Sequence, residues 1–132
     1  MKVVSIIQAR LGSKRLPGKT LMPFHGYPLI DWVVSRVKST ASIEECCVAI
    51  PDNKANNNLA EHLLSIGANV FRGDESDVLG RVYGAALEMD ADLVVRVCAD
   101  NPLVCSLELE KLIVNVIVIV IVNMMIYPYV LR

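Results

Sequence analysis

The strongest constraint on this chain is a pattern that runs from residue 3 to about residue 112. Short apolar runs of strand length alternate with segments of helical periodicity. Val3-Val4-Ser5-Ile6-Ile7, Cys46-Cys47-Val48-Ala49-Ile50, the shorter Asn69-Val70-Phe71-Arg72, and Leu93-Val94-Val95-Arg96-Val97-Cys98 are the strand runs. They lack the apolar/polar alternation of a half-solvated strand, so a parallel sheet covered on both faces is expected. Between them, Leu29, Ile30, Val33, Val34 and Val37 recur at helical spacing, then Leu59, Leu63 and Ile66, then Val78, Leu79, Val82, Ala86 and Met89. Pro28 suits the first turn of the first helix, and Gly67 closes the second. Ser76 can cap the third helix and Ser106 a fourth, which carries Glu108 and Glu110 in its first turn. Four such strand–helix alternations predict a doubly wound α/β layer. Ligands of such sheets bind beyond the carboxyl ends of the strands, which directs attention to residues 8–20, 51–54, 72–77 and 99–105.

With 132 residues the chain fits one domain. Its net charge of -1, from 13 basic and 14 acidic residues, excludes a general binder of nucleic acid, so any basic patch is local. The four cysteines, Cys46, Cys47, Cys98 and Cys105, show no CxxC spacing, and no signal peptide precedes them. Buried, reduced thiols in a cytoplasmic protein are expected. His25 and His62 are read as surface residues.

Residues 8–20, QARLGSKRLPGKT, end in the Gly-Lys-Thr of a phosphate-binding P-loop. The spacing rejects that reading. Such a loop has four residues between its first glycine and the Gly-Lys pair; here five separate Gly12 from Gly18, and Ser13 stands where the glycine belongs. Pro17 removes an N–H where donors should converge. Met22-Pro23 also interrupts the helix that should follow Lys19 directly. The chemistry is still that of an anion site, because Arg10, Lys14, Arg15 and Lys19 crowd one loop and repel one another until an anion joins them. Arg10 and Lys19, which flank the loop, are read as anion-binding, and Lys14 as solvated.

These residues also match a family. QARLGSKRLPGKTL with HGYPLIDWVVSRV, then VFRGDESDVLGRVYGAA and VVRVCADNPLV, resemble in order the cytidylyltransferases that activate acidic sugars. Among these are the acylneuraminate and 3-deoxy-manno-octulosonate enzymes, and the match is nearest to the spore-coat polysaccharide branch. The resemblance covers roughly residues 2–113. It implies a Rossmann-like nucleotidyltransferase fold, three-layer α/β/α with a mostly parallel sheet, of which residues 1–114 form the nucleotide-binding part. It implies CTP and a sugar acid as substrates, attack at the α-phosphate, release of pyrophosphate, and Mg²⁺ as cofactor. Arg10 and Lys19 match the catalytic cations that grip the triphosphate, and Ala9, Gly12 and Ser13 match the backbone and hydroxyl contacts of that loop. Arg72 matches an arginine near the nucleotide, with Asp77 and Arg81 close by. For that pair the residues leave a second reading open, an ordinary i,i+4 salt bridge. Asp100 matches the metal-binding aspartate of a Gly-Asp-x-Pro stretch; the residues alone also allow a plain turn aspartate, since Asp-Asn-Pro is good turn chemistry. Ala99 replaces the family's usual glycine, and Cys105 an acid of the spore-coat branch.

The match ends near Asn115. Residues 112–122 read LIVNVIVIVIV, and the segment from Leu112 to Leu131 has about the length of a membrane span. Asn115, Asn123 and Pro128 interrupt it and no basic cluster flanks it, so no stable span is expected. Residues 115–132 form an atypical hydrophobic tail whose codons suggest a shifted frame. Asn123-Met124-Met125-Ile126 requires AAY-ATG-ATG-ATH, which read two bases later encodes Tyr or His, then Asp-Asp, as in the downstream Tyr-Asp run of similar proteins. An uncharged β-branched run needs a partner strand or an interface, so a homo-oligomer is expected. Two functions follow: a Mg²⁺-dependent cytidylyltransferase, or a catalytically incomplete remnant that binds the nucleotide only. A third, a membrane-anchored protein, would use the tail as a span.

Overall fold

The computed structural model describes residues 1–117. β1 (Val3–Gln8), β4 (Glu45–Pro51), β5 (Asn69–Gly73) and β6 (Leu93–Cys98) form one sheet in the order β5-β4-β1-β6, with every pairing parallel. A two-stranded antiparallel ribbon, β2 (Pro23–Phe24) and β3 (Tyr27–Pro28), interrupts the first crossover. The helices are α1 (Leu29–Lys38), α2 (Asn57–Ser65), α3 (Val78–Glu88) and α4 (106–117). The α/β layer predicted from the sequence is therefore formed.

The apolar periodicity explains which helix covers which face. Ile30, Val33, Val34 and Val37 of α1, Leu59 and Leu63 of α2, and Ile113 of α4 join Val3, Ile7, Val48 and Ile50 in the larger core. On the opposite face, among the described residues, only α3 packs, setting Val82 and Ala85 against Val4, Ile6, Cys47 and Ala49. α3 spans β5, β4 and β1 and stops short of β6. The expectation that both faces are covered thus fails at β6. Val95 and Val97 are buried, whereas Val94, Arg96 and Cys98 on the α3 side are exposed. A run that looks uniformly apolar is half-solvated because no helix among the described residues lies over it.

Other expectations are corrected in detail. Ile66, just past α2, points outward, since Leu59, Ala60 and Leu63 carry the buried face of that helix, and Leu79 is 79% exposed because Arg81, Val82 and Ala85 carry that of α3. Asp77, one residue past Ser76, caps α3 by accepting the Gly80 N–H (2.8 Å). Ser106 is the first residue of α4, and the carbonyl of Cys105 before it accepts the Leu109 N–H (3.0 Å). His62 is half-buried, its ring 2.6 Å from Asp31 across α1 and α2, while His25 is exposed as expected. Among the described residues no helix is long and apolar enough to cross a membrane. The hydrophobic run beyond residue 117, and the expectations of a strand, an interface or a shifted frame attached to it, lie outside the described residues.

The cysteines divide in two. Cys46 and Cys47 are buried and free, as expected, but Cys98 and Cys105 are exposed. Burial pushes the Cys46 thiol up to about 12 and that of Cys47 up to about 11, against an ordinary 9.0. Because the folded values are the higher ones, this burial opposes folding only above the unfolded value: stability is intact below about pH 9 and falls as pH rises from there. We expect a thiol reagent at pH 8 to modify Cys98 and Cys105 in the native chain, and all four cysteines only in denaturant. A third fast-reacting thiol would contradict this packing.

Candidate nucleotide site

Strand order fixes where a site can form. From β1 the chain proceeds to β4 and β5 on one side, and then crosses to β6 on the other. The loops that follow β1 and β6 therefore diverge, leaving a crevice at their carboxyl ends, the topological switch point. Ala9, still buried, donates its N–H to Ala49 O (3.2 Å) before the chain leaves the sheet. The loop then folds upon itself. Ser13 and Gly18 both donate backbone N–H groups to Leu11 O (2.9 and 3.0 Å), and the buried Thr20 hydroxyl donates to Arg10 O (2.9 Å). Gly18 has φ 73°, a left-handed conformation that glycine adopts without strain. A 3-10 turn, Lys19–Leu21, completes the loop. Its N–H groups at Ser13 and Gly18 are thus engaged within the loop, which is why it cannot cradle phosphate as a P-loop does. Anion binding falls to side chains.

Those side chains surround a cavity of about 440 Å³. Arg10, Ser13, Arg15, Leu16, Lys19 and Thr20 line it from the loop, Gln8 and Ala9 from the end of β1, and Arg96, Cys98, Ala99 and Asp100 from β6 and its continuation. Lys19 Nζ lies 3.3 Å from Asp100 Oδ2, so the loop and the residues after β6 meet across the crevice. Of the residues singled out in the sequence, Ala9, Arg10, Ser13, Lys19 and Asp100 come together here. Gly12 lies on the same loop, facing Glu75. Lys14 is exposed and does not line the cavity.

Arg72 and Asp77 stand apart from this cavity. Arg72 donates from Nη2 to Asn53 O (2.8 Å) and Asn57 Oδ1 (2.9 Å), and its Nε lies 3.1 Å from Asp52, so it braces the loop after β4. Asp77 is occupied with its cap. No i,i+4 salt bridge joins it to Arg81, whose guanidinium instead donates to the carbonyls of Asp74 and Glu75. Arg81 is 1% exposed, and its Nε and Nη2 are buried without a partner. Burial, and next the nearby charge of Arg10, lower its pKa from the ordinary value. The Asp74 carboxyl is held low by the Asp77 N–H and then the Ser76 hydroxyl, so it stays ionised.

Among the described residues no three His, Cys, Asp or Glu side chains gather into a metal cluster. A single exposed carboxylate beside cations does fit Mg²⁺, which keeps several waters and uses one or two carboxylates plus substrate phosphates. Asp100 is that carboxylate.

The comparisons with known proteins give the family. Residues 4–116 match the cytidylyltransferase family model. The chain belongs to that family. It is 36% identical over 106 residues to the spore coat polysaccharide biosynthesis protein SpsF of Bacillus subtilis, covering 77% of this chain and 44% of that protein. It is 35% identical over 114 residues to 3-deoxy-manno-octulosonate cytidylyltransferase of Bdellovibrio bacteriovorus, covering 85% and 44%. A solved CMP:2-keto-3-deoxy-manno-octonic acid synthetase in complex with CTP superposes with a TM-score of 0.77 at 26% identity, covering 87% of this chain and 47% of that one. The chain spans about half the length of the relatives it matches.

Within this cytidylyltransferase chain, sequence reasoning overlooked Asn56, Gln8 and Arg96. Asn56 is 1% exposed and accepts the Leu11 N–H on Oδ1 (2.9 Å) while donating to Asn53 Oδ1 (2.7 Å). It ties the cationic loop to the loop after β4. Nothing in its sequence context, Asn53-Lys54-Ala55-Asn56-Asn57-Asn58, separates it from its polar neighbours. Removing a buried acceptor from a backbone donor costs about 1–3 kcal/mol. We expect Asn56→Ala to lower stability in urea by that amount and to increase hydrogen exchange at Leu11. Unchanged protection at Leu11 would show that the loop is held elsewhere.

Proposed function

We propose that this chain carries the nucleotide half of a cytidylyltransferase reaction: transfer of CMP from CTP to a sugar acid, with release of pyrophosphate, in the synthesis of surface polysaccharide. The observation that carries the reading is the convergence of Arg10, Arg15 and Lys19 with Asp100 on one cavity at the switch point. In the reaction a hydroxyl oxygen of the sugar acid forms a bond to the α-phosphorus. The bond from that phosphorus to the bridging oxygen breaks, pyrophosphate leaves with the electron pair, and the hydroxyl proton passes to solvent. Charge grows on the leaving pyrophosphate, so fixed cations near the β- and γ-phosphates lower the barrier. Arg10 and Lys19 have that catalytic role, with Ala9, Gly12 and Ser13 shaping the loop that presents them. Mg²⁺ bound at Asp100 would supply further neutralisation of phosphate charge. Lys19, at 3.3 Å, holds this carboxylate before the nucleotide arrives. Arg72 and Asp77 act on the nucleotide only by ordering the loops beside it, since neither lines the cavity.

The relatives named as 3-deoxy-manno-octulosonate cytidylyltransferase and as a synthetase complexed with CTP support the choice of nucleotide and of acid sugar. A second reading, nucleotide binding without transfer, is favoured by the uncovered α3-side face of β6 beside the cavity. We further propose that the chain works in the cytoplasm as a homo-oligomer.

Both readings predict Mg²⁺-dependent CTP binding in calorimetry. Arg10→Ala and Lys19→Ala should each weaken it about ten-fold or more, the effect of losing a charge-assisted hydrogen bond of about 1.5–3 kcal/mol. Bound CTP should also slow modification of Cys98, which lines the cavity, and leave Cys105 unaffected. Pyrophosphate release on adding a sugar acid separates transfer from binding alone. Binding of no nucleoside triphosphate would end both readings.

A further inference from the structure

The cationic loop is tied to the rest of the molecule at few points. Among the described residues, residues 10–18 make one hydrogen bond to a partner outside the loop, the Leu11 N–H donated to Asn56 Oδ1 (2.9 Å). Arg10, Lys14, Arg15 and Lys19 repel one another and favour a wider loop. What stands behind that single tie therefore decides where the cations sit.

The tie is the first link in a series of side chains. Asn56, itself buried, donates from Nδ2 to Asn53 Oδ1 (2.7 Å), and Asn53 donates from Nδ2 to Glu75 Oε2 (2.9 Å). The donor at Leu11 fixes every later direction. It claims the oxygen end of the Asn56 amide, so the NH2 end faces Asn53 and needs an oxygen there. Asn53 then turns its own NH2 outward, and only an acceptor can end the series. The Glu75 carboxylate is that acceptor, and its charge strengthens the bond. Arg72 steadies the middle link: its Nη2 donates to Asn53 O (2.8 Å), which also accepts the Asn56 N–H (3.1 Å).

Glu75 also returns to the loop directly. Its Oε1 lies 3.8 Å from the point that a Cβ on Gly12 would occupy, so the carboxylate rests against the segment that Asn56 tethers. It lines a separate cavity with Asp52, Asn53, Gly73 and Asp74, and does not line the one that holds Arg10, Arg15 and Lys19. Its charge can order the loop without occupying the anion cavity. Stability explains this residue poorly, because Glu75 is exposed and water replaces an exposed hydrogen bond at little cost.

We propose that Glu75 is a positioning residue for the anion cavity. Through Asn53 and Asn56 it holds the loop in the geometry in which Arg10 and Lys19 receive a polyphosphate. The inference rests on the proposed nucleotide site and deepens it.

The test reverses the polarity of the outer link. Asn53→Asp sets two carboxylates against each other and breaks the series at Glu75. Adding Glu75→Gln supplies an NH2 to the new carboxylate and restores the link in the opposite sense. Glu75→Gln alone keeps an acceptor for the Asn53 NH2. Binding of inorganic tripolyphosphate to the full chain is measured by calorimetry, in salt that screens distant charges, with hydrogen exchange at Leu11 alongside. Asn53→Asp should weaken binding about three- to ten-fold and speed Leu11 exchange. Glu75→Gln alone should change binding by less than about two-fold, and the double variant should return both readouts to within about two-fold of the unaltered chain. Mere loss of structure gives no such rescue, and thermal melts confirm that the variants are folded. The inference is overturned if the double variant stays as weak as Asn53→Asp, or if Leu11 exchange is unchanged in Asn53→Asp. It is equally overturned if Glu75→Gln alone tightens binding as much as Asn53→Asp loosens it, the mark of a bare charge effect. If the unaltered chain binds neither tripolyphosphate nor any nucleoside triphosphate, the proposed function itself fails and takes the inference with it.

Discussion

The structure depends on β1 being paired on both sides. Its neighbours β4 and β6 run parallel to it, so Val3–Gln8 sits at the centre of the sheet, with both faces buried over most of its length. A parallel strand cannot be reached from its neighbour by a tight turn, and each connection must cross the sheet through a helix. Because β4 lies on one side of β1 and β6 on the other, the crossovers diverge, and the space between them opens beyond Gln8 and Cys98. The cavity is a consequence of this strand order. Its wall residues need no further design than to occur just after a buried strand.

Electrostatics then decides what that space wants. Arg10, Arg15 and Lys19 are held on a loop whose backbone donors at Ser13 and Gly18 are internally engaged, and Arg81 lies buried near enough to Arg10 to feel its charge. Like charges gathered in this way raise the energy of the empty site and lower it when an anion enters. Asp100 offsets one of them through Lys19, at 3.3 Å. Among the described residues Arg81 closes no ion pair; it donates to the carbonyls of Asp74 and Glu75 and so braces the turn before α3.

Much of this was legible in the sequence, and the reasons for the exceptions are physical. The parallel layer follows from apolar runs that do not alternate, and the failure of the P-loop follows from a count of residues between Gly12 and Gly18. Arg10 and Lys19 stood out because four cations crowd one short loop, and Asp100 because its stretch resembles that of the family. Local pattern failed where burial depends on a distant element. The uncovered side of β6 depends on how far α3 reaches, which no window of residues 93–98 records. The same limit hid Asn56, one asparagine among several, whose role comes from the Leu11 N–H 45 positions away. Capping failed by a single residue at α3, where Asp77 rather than Ser76 could accept the Gly80 N–H.

Gln8 shows why such failures gather at sites. In sequence it is the last residue of an apolar strand, and a lone amide there has no preferred use. Arg96 lies within another apolar run, where a charge looks like an interruption. Parallel register makes the two adjacent, and the missing cover over β6 leaves Arg96 exposed and Gln8 half-buried in the wall of the cavity. A guanidinium in an otherwise apolar strand must find an acceptor, and the amide oxygen of Gln8 satisfies that need. The orientation of that amide is thereby set by the neighbouring strand. A pairing of this kind arises from the fold alone, which is also why it cannot be read from either residue by itself.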